Sequence, residues 1–595
     1  MKWTICFIFA SLILVASIVL AVVFSSKKFK GNTFIKPITL FIIGVFLSGV
    51  FMLYPVNFQL VATSGSQFIN FIKCLAISIY DTLGLFVING QFERITLSLI
   101  GVEGFIGSAY PVLASIIFVI APILTFGFIL SFFKNVASYL SYFIGFNKPV
   151  YAFSELNDYS VALATDIAKN HNNAILVFTG VAGLDETYAL SLQEKLKGVN
   201  AIFFKKDMAT VKLNIHNKNK EIYFFIISEN EDKNLNAFQL LSQKYKERDK
   251  SYLYLFSSSV QSDMLLSNCA KGKLNIRRIN PARSLIYNNL YENGYQLFES
   301  AIENNNGSKT ISAVIVGLGN YGLTLTKTLA WFCQMDGYEI KINAFDKNPL
   351  AESIFSSECP ELASEKYNGK KIDGEPYYSI KVHSNSDYKS AEFDNLLNQI
   401  DDATYVFVSI GSDQLNIDCA VKIRRLFAKK GLYPTIKAVV FDGDLKHNIE
   451  NAVNFKNQPY NIQLVGDLTS TYCEKVVINP ALELEALERH KKYGAEDSFW
   501  HFEYNNKSSM ASAIHMQARI KCGIKGADKK EEDLTPEEAH DIEVLEHKRW
   551  NAYMRSEGYV YGPERNDLAK VHHNLVDFEA LSEEDKRKDK RVGSK

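Results

Sequence analysis

Paired cysteines are missing from this sequence. Its eight (Cys6, Cys74, Cys269, Cys333, Cys359, Cys419, Cys473 and Cys522) are scattered along 595 residues. With no C-x-x-C pair and no close Cys/His set, the pattern argues against a zinc site and a disulfide scaffold, and leaves single buried thiols in a reducing cytosol. Charge is missing locally: none falls between Thr4 and Ser26, and none in the thirty residues ending at Phe133. Residues 1–150 hold nine Lys/Arg against three Asp/Glu, and the rest 56 against 62. The zero net charge therefore hides a basic, membrane-like front and a mildly acidic globular back, of which no nucleic-acid partner is expected. A potassium-filter sequence of the T-V-G-Y-G kind is also missing, "DTLGLF" being a loose echo, so ion identity is not readable.

What is there begins with apolar runs. Thr4–Phe24 is long enough to cross a hydrocarbon core of about 30 Å, exceeds a signal peptide's apolar stretch and runs into Lys27, Lys28 and Lys30 without a cleavage site. Further spans read from Ile38 to Tyr54 and from Ala109 to Phe133. Between them "FINFIKCLAISIYDTLGLFVING" carries Lys73 and Asp81, as a fourth span, a re-entrant helix or an interfacial one. Lys27, Lys28, Lys30 and Lys36 place the first loop in the cytoplasm. The expectation is thus a transmembrane region over 1–135 with three crossings and residues 68–88 on or dipping into the outer face. That is a multi-pass protein of the inner (cytoplasmic) membrane, in contact with lipid, with residues from about 134 onward in the cytoplasm. Lys73 and Asp81 are pore candidates; the competing reading is a surface helix with both charges in water.

From Lys148 short β-rich runs alternate with helical ones, the grammar of parallel α/β architecture. The polar patch "ENNNGSKT" closes a first half (148–305) and the order restarts in a second (309–490). There, strand "AVIV" feeds Gly317-Leu318-Gly319-Asn320-Tyr321-Gly322, a helix follows, and the next strand ends on Asp346. This is the dinucleotide fingerprint in its required setting: Gly317 for the tight turn, Gly319 for close approach of a pyrophosphate, Gly322 for helix–strand packing, Asp346 for ribose hydroxyls. NAD(H) or another adenine nucleotide, or a nucleotide-derived signal, is the expected ligand. The equivalent turn of the first half, Ser154-Glu155-Leu156-Asn157-Asp158-Tyr159-Ser160, has no glycine and two carboxylates that would repel phosphate, so this half reads as a scaffold or dimerising copy. With "FFIISENEDKNLNAFQLLSQ" and "LNIRRINPARSLIYNNL", residues 148–490 resemble tandem RCK (TrkA-N, KTN) domains, cytosolic regulators of potassium channels and transporters. The resemblance implies pairing across a hydrophobic face and a homo-oligomer.

Thr535-Pro536-Glu537-Glu538 reads as a capping box with proline at the first helical position, opening a helix that buries Ile542, Leu545 and Tyr553. "LEHKRW", "GYVYG", "ND", "KVHHNLV" and "FEAL" resemble the RyR repeat, the small helical module named for ryanodine receptors, over 495–592. The family's GWxYG is here Gly558-Tyr559-Val560-Tyr561-Gly562, its HP is His573-Asn574, and a usual tryptophan is Phe578. Glu546, His547, Arg549, Trp550, Tyr561, Arg565, Asp567, Lys570 and His573 mix aromatic faces with cations, suited to stacking a base and holding phosphate. The alternative for each is core packing or a solvated ion network.

The expected fold class is an α-helical transmembrane region, tandem Rossmann-like domains and a small helical RyR module. No catalytic set accompanies the fingerprint, so a non-enzymatic, nucleotide-gated membrane sensor-effector is expected. Bacterial proteins joining this module to TrkA-N domains and spans look like effectors of nucleotide-signalling antiviral systems. A housekeeping potassium channel or transport regulator sensing NAD(H) or ATP, and a membrane-tethered NAD-using enzyme, are the other readings.

Overall fold

A computed structural model describes residues 2–25, 37–61, 66–90, 92–145, 147–211, 213, 219–269, 272–363, 366–367, 370–371, 378–478 and 480–594. The first-loop lysines, on which the sidedness expectation rests, lie outside the described residues. The chain divides into two compact units, Met1–Ser141 and Tyr142–Lys595.

The first unit is helical: α1 (Lys2–Ser25), α2 (Pro37–Val61), α3 (Gln67–Phe86), the short α4 (Phe92–Ser98) and α5 (Phe105–Ile144). Four of these, all but α4, contain stretches long and apolar enough to cross a membrane. The segment expected to re-enter or lie on the surface is thus one unbroken helix of 20 residues, long enough at about 1.5 Å per residue to span the apolar core. Small side chains let α1 and α2 approach: a Cβ on Gly44 would stand 2.1 Å from Ser17 Cβ, the close packing that helices in lipid use. Lys73 and Asp81 do not come together. Lys73 is exposed on α3, whereas Asp81 turns to Asn57 and Arg94.

The second unit holds two parallel sheets. Strands β1 (Val150–Phe153), β2 (Ile175–Phe178), β3 (Ala201–Phe203), β4 (Ile222–Ile226), β5 (Ser251–Phe256) and β6 (Asn275–Ile279) lie in the order 3-2-1-4-5-6. Strands β7 (Lys309–Val316), β8 (Tyr338–Phe345), β9 (Tyr378–His383), β10 (Tyr405–Val408), β11 (Thr435–Val439) and β12 (Ile462–Val465) repeat it as 9-8-7-10-11-12. Both are the doubly wound Rossmann order, with the ligand crevice at the first strand's carboxyl end. The polar patch between the halves is a hairpin turn: Ile302–Glu303 pairs antiparallel with the start of β7, and Gly307 takes φ +86°.

The halves exchange elements. The helix after β6, α7 (Pro281–Asn293), carries Ile286, Tyr287 and Leu290 into the core of the second half against Ile311 and Leu329; Tyr472, Val477 and Ile478, after β12, pack into the core of the first. The core boundary therefore falls before the crossover helix and not at the polar patch.

The helices used below are α6 (Asp158–Asn170), α7 (Pro281–Asn293), α8 (Asn320–Phe332), α9 (Asp413–Lys429), α10 (Ala481–His490), α11 (Glu503–Lys521), α12 (Pro536–Ser556) and α13 (Glu583–Gly593). The last four form the C-terminal module. The capping box of α12 is made in both directions, Glu538 N–H to Thr535 Oγ1 at 3.3 Å and Thr535 N–H to Glu538 Oε2 at 3.0 Å. The module is not a separate globule: Phe499, Ile514, Leu545 and Tyr553 share one core with α7, α8 and the second sheet. Buried Glu361, in the short helix Pro360–Ala363, accepts from Arg555 Nε and from the Tyr561 N–H, each at 2.9 Å.

Candidate functional site

Two places gather the sequence-derived residues. At the fingerprint, Gly317 has φ +91°, and a Cβ there would lie 2.3 Å from Ser409 O; one on Gly322 would lie 1.8 Å from Gly317 O. These two glycines are demanded by the turn and by helix–strand approach. Gly319 is different. It is extended, precedes α8, and a Cβ there meets nothing within 4 Å. No side chain caps α8, so its N-terminal N–H groups face the crevice above an exposed Asn320, as phosphate binding requires. Asp346 stands at the tip of β8, its Oδ2 accepting from Leu318 N–H at 2.6 Å and its Oδ1 from Asn348 N–H at 2.7 Å. Each oxygen keeps a second lone pair for a ribose hydroxyl. Tyr321 packs 5.9 Å from Phe441, and burial with neighbouring Tyr159 pushes its hydroxyl up to about 12.

The first half closes the equivalent position. Asn157 Oδ1 accepts from Ser160 N–H at 2.9 Å, and Ser160 Oγ accepts from Asn157 N–H at 3.0 Å, a capping box that uses the groups a phosphate would take. Asp158 is drawn aside by Lys195 at 2.8 Å.

The second place is a cavity of about 720 Å³ in the C-terminal module. Six of the nine residues singled out there line it: Glu546, His547, Arg549 and Trp550 from α12, and Arg565 and His573 from the segment after it. Tyr561, Asp567 and Lys570 stand outside the lining. Tyr561 is occupied at its backbone with Glu361, Asp567 pairs with Arg565 at 2.9 Å, and Lys570 Nζ donates to Glu557 O at 2.6 Å. The opposite wall comes from Tyr504, Asn505, Ser508 and Ser512 on α11. Their spacing sets them on one helical face, the signal that would have found them.

The floor is a cluster of buried charge. Glu546 Oε1 accepts from Arg549 Nε at 3.1 Å and Nη2 at 2.7 Å; its Oε2 accepts from Arg519 Nη2 at 3.2 Å. Arg489, also buried, donates to Ser512 Oγ at 3.1 Å and to the Val592 and Ser594 carbonyls. Three guanidiniums thus surround one carboxylate, and Arg549 Nη1 and Arg519 Nε and Nη1 have no partner among the described residues. Burial, with Arg489 and Arg549 nearby, pulls Arg519 down to about 10 against the attraction of Glu546. Glu546 stays below the usual carboxylate range although burial raises it, because Arg549 and Arg519 hold it ionised. Buried donors without acceptors are costly, and an excess of buried positive charge favours an anion at Arg549, which faces the cavity. Half-buried Trp550 lies 4.9 Å from the His572 ring and 5.9 Å from that of His547, whose Nδ1 is 3.1 Å from Asp589 Oδ2 on α13. Aromatic faces beside a cationic floor suit a ligand with a flat ring and a phosphate.

No family model and no curated protein matches the chain. Among solved structures it is similar to a dipicolinate synthase subunit from Bacillus halodurans, at 9% identity and a TM-score of 0.19, over 56% of this chain and 92% of that one. So low a score leaves that protein's reaction its own.

Proposed function

We propose that the protein is a membrane-anchored sensor-effector: a nucleotide-type ligand binds the soluble body, as a homo-oligomer on the cytoplasmic side, and changes the permeability of the membrane unit. The observation that carries the reading is the C-terminal cavity, where buried guanidinium donors without partners among the described residues lie under an aromatic wall. The resemblance of this module to the RyR repeat supports the same reading and extends it to antiviral nucleotide signalling.

A second reading is favoured by the intact glycine turn: a potassium channel or transport regulator sensing NAD(H) or ATP at Gly319 and Asp346. Both readings are of sensors. Calorimetry of the full chain in detergent with NAD(H), ATP, ADP-ribose and cyclic nucleotides separates them. Loss of binding in Trp550→Ala alone supports the cavity; loss in Gly319→Asp alone supports the transport reading. Cofactor turnover by the purified protein would overturn both.

A further inference from the structure

The apolar bundle of the N-terminal unit closes around a polar cluster drawn from three helices. Asn57, on α2 just past Pro55, is fully buried. Its amide nitrogen donates to Ser78 Oγ and to Asp81 Oδ2 on α3, each at 3.1 Å, and its amide oxygen accepts from Arg94 Nη2 on α4 at 3.4 Å. Arg94 also stands 3.7 Å from Asp81 Oδ2. The Ser78 hydrogen is committed to Cys74 O at 2.7 Å, which leaves its oxygen as an acceptor. A single guanidinium therefore rests against a carboxylate oxygen and an amide oxygen, with a hydroxyl oxygen one contact away.

Ionisable groups in an apolar bundle are expensive and mark pathways more often than scaffolds. Without Arg94 the set would present two hard oxygen donors, Asp81 Oδ2 and Asn57 Oδ1, carrying one negative charge, with Ser78 holding the Asn57 amide nitrogen behind them. That composition suits a monovalent cation, since calcium sites add further carboxylates and magnesium demands an octahedral shell. Arg94 is held loosely enough to leave: its side chain is 37% exposed, and α4 is a seven-residue helix followed by Gly101 and Gly104, both at positive φ.

We propose that Asp81 and Asn57, the latter positioned by Ser78, form a monovalent-cation site in the membrane unit, and that Arg94 closes it as a tethered cation that a shift of α4 withdraws. The proposal rests on the permeability reading above and names its gate. Reconstitution of the full chain in liposomes, with potassium or sodium flux and calcein release measured in the absence of nucleotide, tests it. Arg94→Gln is expected to raise cation flux at least tenfold over the parent chain with calcein retained, and the double variant Asp81→Asn with Arg94→Gln to lose that flux. Tight Arg94→Gln vesicles, flux that survives in the double variant, or calcein escaping alongside the cations would each overturn it. If Arg94→Gln does not fold, Arg94→Lys decides: its shorter side chain is expected to leak above the parent, and tightness refutes the plug. A leaking Arg94→Gln with no nucleotide able to open the parent chain keeps the gate and sinks the sensor; a nucleotide-opened parent with a tight Arg94→Gln does the reverse.

Discussion

At Gly317 and Gly319, two residues apart, one atom has opposite consequences. Gly317→Ala places a Cβ at φ +91° and within 2.3 Å of Ser409 O, which is expected to cost about 2 kcal/mol or more, read as a lower denaturant midpoint. Gly319→Ala meets open space, so its stability should change by less than about 1 kcal/mol while nucleotide affinity falls. Equal stability losses at both would refute this assignment. His572, in the cavity wall, makes a pH prediction. Burial first, then Arg565 and His573, push it down to about 4 against Asp567 and Asp585. The folded chain therefore keeps it neutral while the unfolded chain protonates it near 6.5. Its contribution is complete above that pH and is lost as the pH falls toward 4. Melting curves of the parent and His572→Gln should converge over that window, and curves that stay parallel would sink the argument.

Among elements, the repeat runs deeper than its strand order. In the helix after β4, Asn234 accepts from Ser228 N–H at 2.9 Å and donates to Phe256 O at 2.9 Å. In α9, after β10, Asn416 accepts from Ile410 N–H at 2.6 Å and donates to Val439 O at 2.7 Å. Each ties its helix to the crevice ends of two neighbouring strands, and each buried side chain satisfies groups that would otherwise be unpaired. Asn416→Ala is expected to cost about 2–3 kcal/mol, with Asn416→Asp recovering only the accepted bond; a loss under half a kilocalorie would make the asparagine incidental. The alternation of strands and helices, the glycine turn and the capping box of α12 were all legible, because each is written in adjacent residues. The exchange of α7 and of Tyr472 between the cores was not, nor was the pairing of Asp81 with Arg94, since local periodicity says nothing of which distant surface a side chain meets. The cavity was half legible: α12 announced itself through its motif, while Arg489, Arg519 and the α11 face carry no motif and acquire meaning only against Glu546.

For the whole molecule, parity decides sidedness. If α3 crosses with α1, α2 and α5, both ends of the membrane unit face the same side, and with the soluble body inside, as proposed, the lysine-rich first loop is outside. If α3 lies on the surface, the loop is inside. A single cysteine placed at Ser26 and challenged with an impermeant thiol reagent on intact cells distinguishes these, with a Cys6→Ser, Cys74→Ser background; labelling supports four crossings and protection supports three. The exchange between the two halves has a different kind of consequence. Each half fills the other's interior, so the exposed hairpin at 304–308 is a seam in the chain but not in the fold. Cut there by a protease, the body would remain clasped, its two fragments travelling together until both cores melt at once.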